Sequence, residues 1–454
     1  MEHYMEYLAV PLPEDIMKYK YFGDEKLLCE AIDKKIAAGV PEALEKRLLL
    51  EKHIMHKWVE EYVHDEEEAL KICMEQIEGF TREELHELRI TNAVEWAYIN
   101  GKVMYKEYFI NNLFATRRQY LDRCLIKGKK ESEMADKKLV DDTMAYIKSH
   151  GGVKAKVRLK LSTRVNVPEE RKGQKVVCQL PYPIEYAQVR NVKLLSLSHE
   201  DALIAPADFP ARTVRFEAVP DKPFEVEYEY ENHLTYVEPK AEAVSAQQPR
   251  FDTEELPPHI VFTPYIRMIA KEIVGDETNP LIKARKIYDF VTTKNIYSFM
   301  RGYITLPNTI PEYFLAGQKG DCGVHALTFI TLCRCVGVPA RWQSGLYTVP
   351  GDVGMHDWAQ FYVAPYGWMF CDTSFGGSAW RSGNLERWDY YFCNLDPYRL
   401  PAASEFMRTF YVPMKHIRHD PYDNQSCECE YADAPVCRDD LSSEREAWVE
   451  FLED

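Results

Sequence analysis

The chain has 454 residues, 46% of them hydrophobic and 28% charged, and its formal net charge is −16 at pH 7. Because a single core seldom grows beyond about 300 residues, this length predicts two to four domains of an ordinary globular protein. The acidic balance argues against a nucleic-acid partner. No apolar stretch approaches the roughly 18 residues of a membrane span, so the composition also argues against a membrane protein.

The amino-terminal segment 1–7 is acidic and lacks the apolar stretch of a secretory signal, so no signal peptide is predicted. The chain contains 12 cysteines without the framework of a small disulfide-rich domain. This usage is typical of a reducing compartment. We therefore expect a cytoplasmic protein, and no motif predicts a cofactor.

Residues 1–135 are predicted to form a helical domain. Apolar side chains recur at helical spacing over 42–77, as in Leu44, Leu48 and Trp58. A capping box from Thr81 to Glu84 predicts the start of another helix. A further helix, rich in aromatic residues, is expected around 102–124. Its aromatic side chains are best explained by core packing.

Residues 150–238 are predicted to form a β-sandwich. Apolar side chains alternate with basic ones after Val153 and with acidic ones after Phe224, which indicates two half-buried strands. If these strands pair, opposite charges face each other across the sheet. Proline-rich turns between further strands support a sandwich. Residues 239–258 are predicted to be a linker.

The third predicted domain, 255–400, contains the best candidate for chemistry. Helix-like sequence over 262–294 is followed by Cys322, which stands behind a glycine turn at the start of an apolar helix. Unpaired backbone N–H groups and the helix dipole favour negative charge at such a position, so we expect a lowered thiol pKa. Residues 401–454 are predicted to be a C-terminal extension with a short helix around 444–452.

A reactive thiol needs a base and a group that orients it, and His356 and Asp372 are the candidates. Both lie in segments that read as strands, separated by a turn at 364–366. A three-residue loop would pair Val363 with Gly367 and make His356 and Asp372 diagonal neighbours on one face. A shift of the register by one residue would place them on opposite faces.

This region resembles the transglutaminase-like superfamily of papain-type thiol enzymes. The similarity is carried by four blocks in order, within about residues 260–376: Gly320-Asp321-Cys322-Gly323, Leu332-Cys333-Arg334 with Gly337-Val338-Pro339-Ala340-Arg341, His356-Asp357-Trp358, and Gly367-Trp368 with Asp372-Thr373. The resemblance implies Cys322 as nucleophile, His356 as base and Asp372 as the orienting residue. It also implies an α+β core whose cysteine helix packs on an antiparallel sheet. The expected fold class is thus multidomain α+β, with a helical domain, a β-sandwich and a transglutaminase-like core.

Other residues are weaker candidates for the site. The backbone N–H of Cys322 is the first expected oxyanion donor, with Gln318 or Tyr297 as a side-chain donor, although Gln318 fits a surface loop equally well. His325, three residues after Cys322, lines the pocket or is a structural histidine. Trp342 and Trp358 wall the cleft or pack in the core.

A zinc site is the weaker interpretation of Cys427, Cys429, Cys437 and Cys393, with His416 and His419 nearby. The spacing of these cysteines does not follow a standard structural zinc pattern, so reduced thiols and no metal are expected.

The predicted function is cysteine-dependent hydrolysis of an amide or peptide, or acyl transfer, through a thioester. Its expected partner is a peptide or small amide substrate, with a glycoconjugate or modified amino acid as another possibility. The alternative is a binding or scaffolding protein that keeps the fold without activity. The sequence does not predict an oligomeric state.

Overall fold

The computed structural model describes residues 4–307 and 309–453. Residues 1–3 of the segment examined for a secretory signal lie outside this part. The described chain combines helices with several sheets, which confirms the predicted multidomain α+β class. The division into four domains at the predicted boundaries remains a prediction.

The elements of the amino-terminal region are a 3₁₀ helix (Tyr4–Ala9), α1 (Glu14–Phe22), α2 (Glu25–Ala37), α3 (Glu42–Glu61), β1 (Tyr62–Asp65), α4 (Glu66–Gln76), α5 (Arg82–Ile90), β2 (Trp96–Ile99), β3 (Lys102–Lys106), α6 (Phe109–Thr116), α7 (Arg118–Leu121) and α8 (Lys129–His150). They are followed by β4 (Gly152–Val165), a 3₁₀ helix (Glu169–Arg171), β5 (Val176–Pro181), β6 (Val189–Leu197), β7 (Leu203–Ile204), β8 (Thr213–Ala218), β9 (Phe224–Thr235) and a 3₁₀ helix (Ala241–Ala243).

The elements of the third region are α9 (Pro264–Val274), α10 (Pro280–Thr293), β10 (Ile296–Tyr297), a 3₁₀ helix (Tyr303–Thr305), α11 (Ile310–Gly317), β11 (Lys319–Gly320), α12 (Cys322–Cys335), β12 (Ala340–Val349), β13 (Asp352–Val363), β14 (Gly367–Cys371), α13 (Thr373–Arg381), α14 (Leu385–Tyr390), β15 (Phe392–Cys393) and β16 (Arg399–Ala403). The chain ends with β17 (Glu428–Glu430), a 3₁₀ helix (Arg438–Asp440) and β18 (Leu441–Phe451).

The amino-terminal region is mostly helical, but it also contains the three-stranded sheet β1-β3-β2. The capping box is confirmed, because the side chains of Thr81 and Glu84 each bond the other residue's backbone N–H. The helix predicted around 102–124 is wrong at its start. Asn100 and Gly101, both with positive φ, join β2 to β3 as a tight hairpin. An Asn-Gly pair between apolar strands is a hairpin signal, and it outweighs the aromatic pattern that suggested a helix.

The predicted β-sandwich consists of two four-stranded sheets, ordered β17-β5-β8-β7 and β18-β4-β9-β6. Strands β4 and β9 pair as expected, with Arg158 opposite Glu229 and Lys160 opposite Glu227. The final helix predicted around 444–452 is wrong, because this segment is the edge strand β18. Its Glu, Arg and Ala residues favour a helix, but pairing with β4 overrides that propensity.

The third region is built around a five-stranded antiparallel sheet ordered β15-β14-β13-β12-β16. Helix α12 packs on one face, where Ala359, Phe361 and Val363 share a core with it. The other face carries Trp358 with Tyr390 and Tyr391. Alternate residues of β13 therefore belong to two different cores, as the period of a strand requires.

Candidate functional site

Cys322 is the first residue of α12, and the chain is anchored on both sides of it. Before it, β11 pairs in parallel with β10, placing Gly320 opposite Tyr297. Asp321 caps the helix by accepting a hydrogen bond from the N–H of Val324 at 3.3 Å. Gly323 permits a close approach, since a Cβ there would lie 2.3 Å from the hydroxyl of Tyr303. Cys322 as a whole residue is partly exposed.

His356 and Asp372 are brought together by the β13–β14 hairpin. Val363 pairs with Gly367, which confirms the predicted register. Asp372 follows β14 directly and caps α13 through the N–H of Phe375 at 2.8 Å. Its other oxygen, Oδ2, lies 2.8 Å from Nε2 of His356. Both side chains are buried.

Arg399, which sequence reasoning did not identify, completes a buried charge network around this pair. Its Nη1 lies 2.9 Å from Oδ2 of Asp372, and its Nη2 lies 2.5 Å from Oδ2 of Asp396. The guanidinium is fully buried. A buried cation that holds two carboxylates fixes the position of both.

The protonation states of the pair follow from these contacts. Burial by itself would raise the pKa of Asp372, but the charges of His356 and Arg399 hold that pKa below its ordinary value. Burial lowers the pKa of His356, although Asp372 opposes this effect. An ionised carboxylate can only accept, so Nε2 of His356 carries the proton and Nδ1 keeps a lone pair. The imidazole thus presents a base at Nδ1.

The thiol of Cys322 faces a different residue. Its Sγ lies 3.4 Å from Oδ2 of Asp357, and within the described chain this is the one side-chain hydrogen bond assigned to the thiol. Successive side chains of a strand point to opposite faces. Asp357 therefore points to the α12 side of the sheet, whereas His356 packs with Trp358 and Phe375 on the other side.

The expected lowering of the thiol pKa is wrong for this arrangement. Burial, followed by the neighbouring carboxyls of Asp357 and Asp321, raises the pKa of Cys322 well above its ordinary value. Burial and the charge of Asp321 likewise raise the pKa of Asp357. The helix amino terminus favours an anion, but desolvation and two adjacent acids outweigh that effect.

The two candidate oxyanion donors have different surroundings. Tyr297 pairs with Gly320, two residues before Cys322, and burial raises the pKa of its hydroxyl well above the ordinary value. Gln318 has an exposed side chain and a left-handed backbone at the end of α11. No hydrogen bond among the described residues joins it to Cys322. Tyr297 is the better placed of the two.

Three further candidates are packing residues. His325 is fully buried, with its ring 4.8 Å from that of Phe314, and burial lowers its pKa to about 3. Trp358 is fully buried and donates from Nε1 to Gln343 at 2.6 Å. Trp342 is 3% exposed, and its ring lies 5.0 Å from that of Phe406. These contacts join the three side chains to other buried or partly buried side chains.

The cysteines considered for zinc do not assemble a ligand set. Cys429 lies directly opposite Cys178 across β17 and β5, and Cys437 is exposed. Cys393 belongs to the core beneath α12. Within residues 4–307 and 309–453, no group of three or more His, Cys, Asp or Glu side chains could hold a metal ion. The zinc interpretation therefore has no geometric support there.

The carboxy-terminal and amino-terminal regions both reach this site. Gln425 donates from Nε2 to Oδ1 of Asp357 at 2.5 Å and to the carbonyl of His356 at 3.1 Å. Glu95 lies 2.8 Å from Arg301 and 2.6 Å from Lys319, just before the cysteine turn. These residues were not predicted as part of the site. The role of Glu95 can be recognised only when its partners Arg301 and Lys319 are known. Nothing in the sequence around Gln425 predicts that it contacts the site.

No helix in the described ranges has the length and apolar character needed to cross a membrane.

A sequence model of the transglutaminase-like superfamily matches residues 267–373. The uncharacterized protein YebA of Bacillus subtilis is 25% identical over 129 residues, which is 24% of this chain and 17% of that protein. An uncharacterized protein of Haemophilus influenzae is 27% identical over 142 residues, or 26% of this chain and 38% of that protein. The match thus spans well under half the length of both relatives.

Two solved structures are similar at low identity. A "Putative Cysteine Protease" from Cytophaga hutchinsonii has 14% identity and a TM-score of 0.42, covering 67% of this chain and 92% of that one. The periplasmic domain of TgpA from Pseudomonas aeruginosa has 13% identity and a TM-score of 0.29, covering 54% of this chain and 95% of that one. At these TM-scores the superpositions are loose, and the similarity to the transglutaminase-like superfamily rests on the sequence match over residues 267–373.

Proposed function

Because residues 267–373 belong to the transglutaminase-like superfamily, we propose that the protein is a cysteine-dependent amide or peptide hydrolase or acyltransferase. The observation that carries this proposal is the 2.8 Å contact between Nε2 of His356 and Oδ2 of Asp372. That contact leaves Nδ1 of a buried imidazole free to take a proton. The cysteine at the start of α12 is the matching nucleophile.

In the proposed reaction, Sγ of Cys322 attacks the carbonyl carbon of an amide while its proton passes to Nδ1 of His356. Asp372 orients the imidazole and stabilises the imidazolium that forms, and Arg399 holds Asp372 in place. The backbone N–H of Cys322, with the hydroxyl of Tyr297, supports the developing oxyanion. His356 then protonates the leaving amine, and a thioester remains on Sγ. Water or a second amine resolves the thioester, giving hydrolysis or acyl transfer.

This scheme requires the thiol to exchange its partner. Sγ contacts Asp357, so the side chains of Cys322 and His356 must both rearrange to bring Sγ to Nδ1. Catalytic hydrogen bonds commonly tighten only in the substrate complex.

Acylation followed by peptide mass spectrometry tests the proposal. An acyl group from a reactive ester should appear on Cys322, and His356→Ala should abolish its formation. The matched control is Cys335→Ala, since Cys335 ends the same helix and is also partly exposed. Acylation that is unchanged in Cys322→Ala would refute the proposal.

A second candidate is a binding or scaffolding protein without catalytic turnover. The observation that favours it is the contact of Sγ with Oδ2 of Asp357 at 3.4 Å, an acid that, after burial, raises the pKa of the thiol. If this candidate is correct, no ester or peptide forms an acyl-enzyme, and Cys322→Ala binds its ligand as the wild type does.

The cytoplasmic location also remains our proposal, and fractionation of cells that produce the full chain would test it.

A further inference from the structure

Three carboxyl groups lie close together on the α12 side of the sheet. Asp321 immediately precedes Cys322, and Oδ2 of Asp357 lies 3.4 Å from Sγ. Asp423, from the carboxy-terminal region, lies next to Asp357, and burial and the charge of Asp357 raise the pKa of Asp423 well above its ordinary value. Asp357 is 2% exposed and Asp423 is 5% exposed. Neighbouring buried carboxyl groups do not both ionise, because their negative charges repel each other.

These carboxyls lack a cationic partner. No ion pair among the described residues includes Asp321, Asp357 or Asp423. Asp321 instead accepts from the hydroxyl of Tyr303 at 2.5 Å, and Asp357 from the amide of Gln425 at 2.5 Å. Arg418 lies close by, but it donates to the backbone carbonyls of Asp423 at 3.1 Å and Pro421 at 2.8 Å. The other buried acid of the region, Asp372, has Arg399 beside it.

One acceptor of the cluster is left without a donor. Oδ1 of Asp423 is buried and has no hydrogen-bond partner in the described part of the chain. Native proteins rarely leave a buried carboxylate oxygen unpaired, and such an atom often marks a place where a ligand supplies the donor. Here the unpaired oxygen belongs to the same cluster as the thiol.

We propose that the site selects amides that carry an ammonium or guanidinium group close to the scissile carbonyl, with Asp357 and Asp423 as the residues that bind this cation. This specificity rests on the proposed function. The cation would replace a proton held by these carboxyls and would give Oδ1 of Asp423 a donor. It would also offset the negative charge that now disfavours a thiolate. A bound cationic substrate therefore prepares the nucleophile that attacks it.

A series of thiol reagents of different charge tests the preference directly. The probes are 2-aminoethyl, methyl and 2-sulfonatoethyl methanethiosulfonate, which are cationic, neutral and anionic. Modification rates at Cys322 and at the exposed Cys437 are measured in the same full-length chain by peptide mass spectrometry. We expect the ratio of the cationic to the anionic rate to be about tenfold higher at Cys322, since nearby charges act strongly where water is excluded.

Asp357→Asn and Asp423→Asn should each bring the ratio at Cys322 toward that at Cys437. The matched control is Asp276→Asn, because the side chain of Asp276 is 99% exposed and lies outside the cluster. Equal ratios at the two cysteines, or a preference for the anion, would overturn the proposal. If a variant fails to fold, the wild-type ratio alone decides.

The failure of this inference can be distinguished from the failure of the proposed function. A cationic preference at Cys322 without any acyl-enzyme would support cation recognition and refute catalysis. Acylation by neutral and cationic esters at equal rates, with no preference among the thiol reagents, would refute cation recognition and leave catalysis intact. Absence of labelling at Cys322 by all three reagents would count against both.

Discussion

Nε2 of His356 lies 2.8 Å from Oδ2 of Asp372, although the two residues are 16 positions apart in the sequence. The contact depends on the hairpin register, in which Ala359 pairs with Cys371 and Val363 with Gly367. It fixes the tautomer of the imidazole and so determines which nitrogen can act as a base. The role proposed for His356 therefore depends on Asp372.

Replacing Asp372 by Asn should remove activity with little change in shape. The side-chain amide of Asn can donate a hydrogen bond to Nε2 of His356. The imidazole would then carry its own proton on Nδ1, and Nδ1 could no longer accept the proton of the thiol. We expect acyl-enzyme formation to fall by roughly 10³–10⁴-fold, as tautomer inversion does in related chemistry. The rate of acylation, measured by mass spectrometry at several pH values, checks this expectation.

Asp396→Asn is the control for that variant. Asp396 is also buried and also pairs with Arg399, yet the imidazole contact belongs to Asp372. We expect this variant to lose stability while keeping acylation within about tenfold of the wild type. Equal losses of acylation in the two variants would mean that the network acts only through stability.

Replacing Arg399 by Met should destabilise the fold. The change removes the cation between Asp372 and Asp396 and leaves two buried carboxylates without it. Removing one partner of a buried ion pair costs about 3–5 kcal/mol. Urea denaturation would measure this loss. The double variant with Asp396→Asn should recover part of it, and a loss below about 1 kcal/mol in Arg399→Met would contradict the network.

Replacing Asp357 by Asn should make the thiol more reactive. After burial, Asp357 is the strongest influence that raises the pKa of Cys322. An amide removes that negative charge while keeping the size of the side chain, so alkylation by neutral iodoacetamide should begin at lower pH than in the wild type. The pH profile of the alkylation rate at Cys322 is the measurement. An unchanged profile would show that Asp357 does not control the thiol.

Replacing His325 by Leu should reduce the pH dependence of stability. Burial lowers the pKa of His325 to about 3, compared with an ordinary value of 6.5. Below pH 6.5 the unfolded chain binds a proton that the folded chain does not, so stability is present above this pH and falls as the pH drops toward 3. The variant should lower the slope of unfolding free energy against pH by about 1.4 kcal/mol per unit between these limits.

Urea denaturation of wild type and variant from pH 7 to pH 4 would give the two slopes. His56→Leu is a suitable control, because that imidazole has 59% of its side chain exposed. If removing His325 left the slope unchanged, the buried ring would have to be protonated in the folded protein as well.

Local sequence patterns predicted much of the fold. The capping box at Thr81, the alternation in β4 and β9, and the apolar helix after Cys322 each depend on neighbours within a few residues. The hairpin register was also predictable, because three turn residues allow few pairings. The errors arose where pairing between distant segments overrides local preference, as in β18, or where a short Asn-Gly signal was missed, as before β3.

The sequence by itself determined which residues could do chemistry: a cysteine at a helix start, and a histidine and an aspartate on one hairpin. Only the tertiary structure decided their surroundings. It placed Asp357 beside the thiol, Asp423 beside Asp357 and Arg399 beside Asp372. Arg399 and Asp423 come from the distant segments 399–403 and 421–431. The reason is physical: protonation depends on burial and on charges a few ångströms away, and residues far apart in the chain supply both.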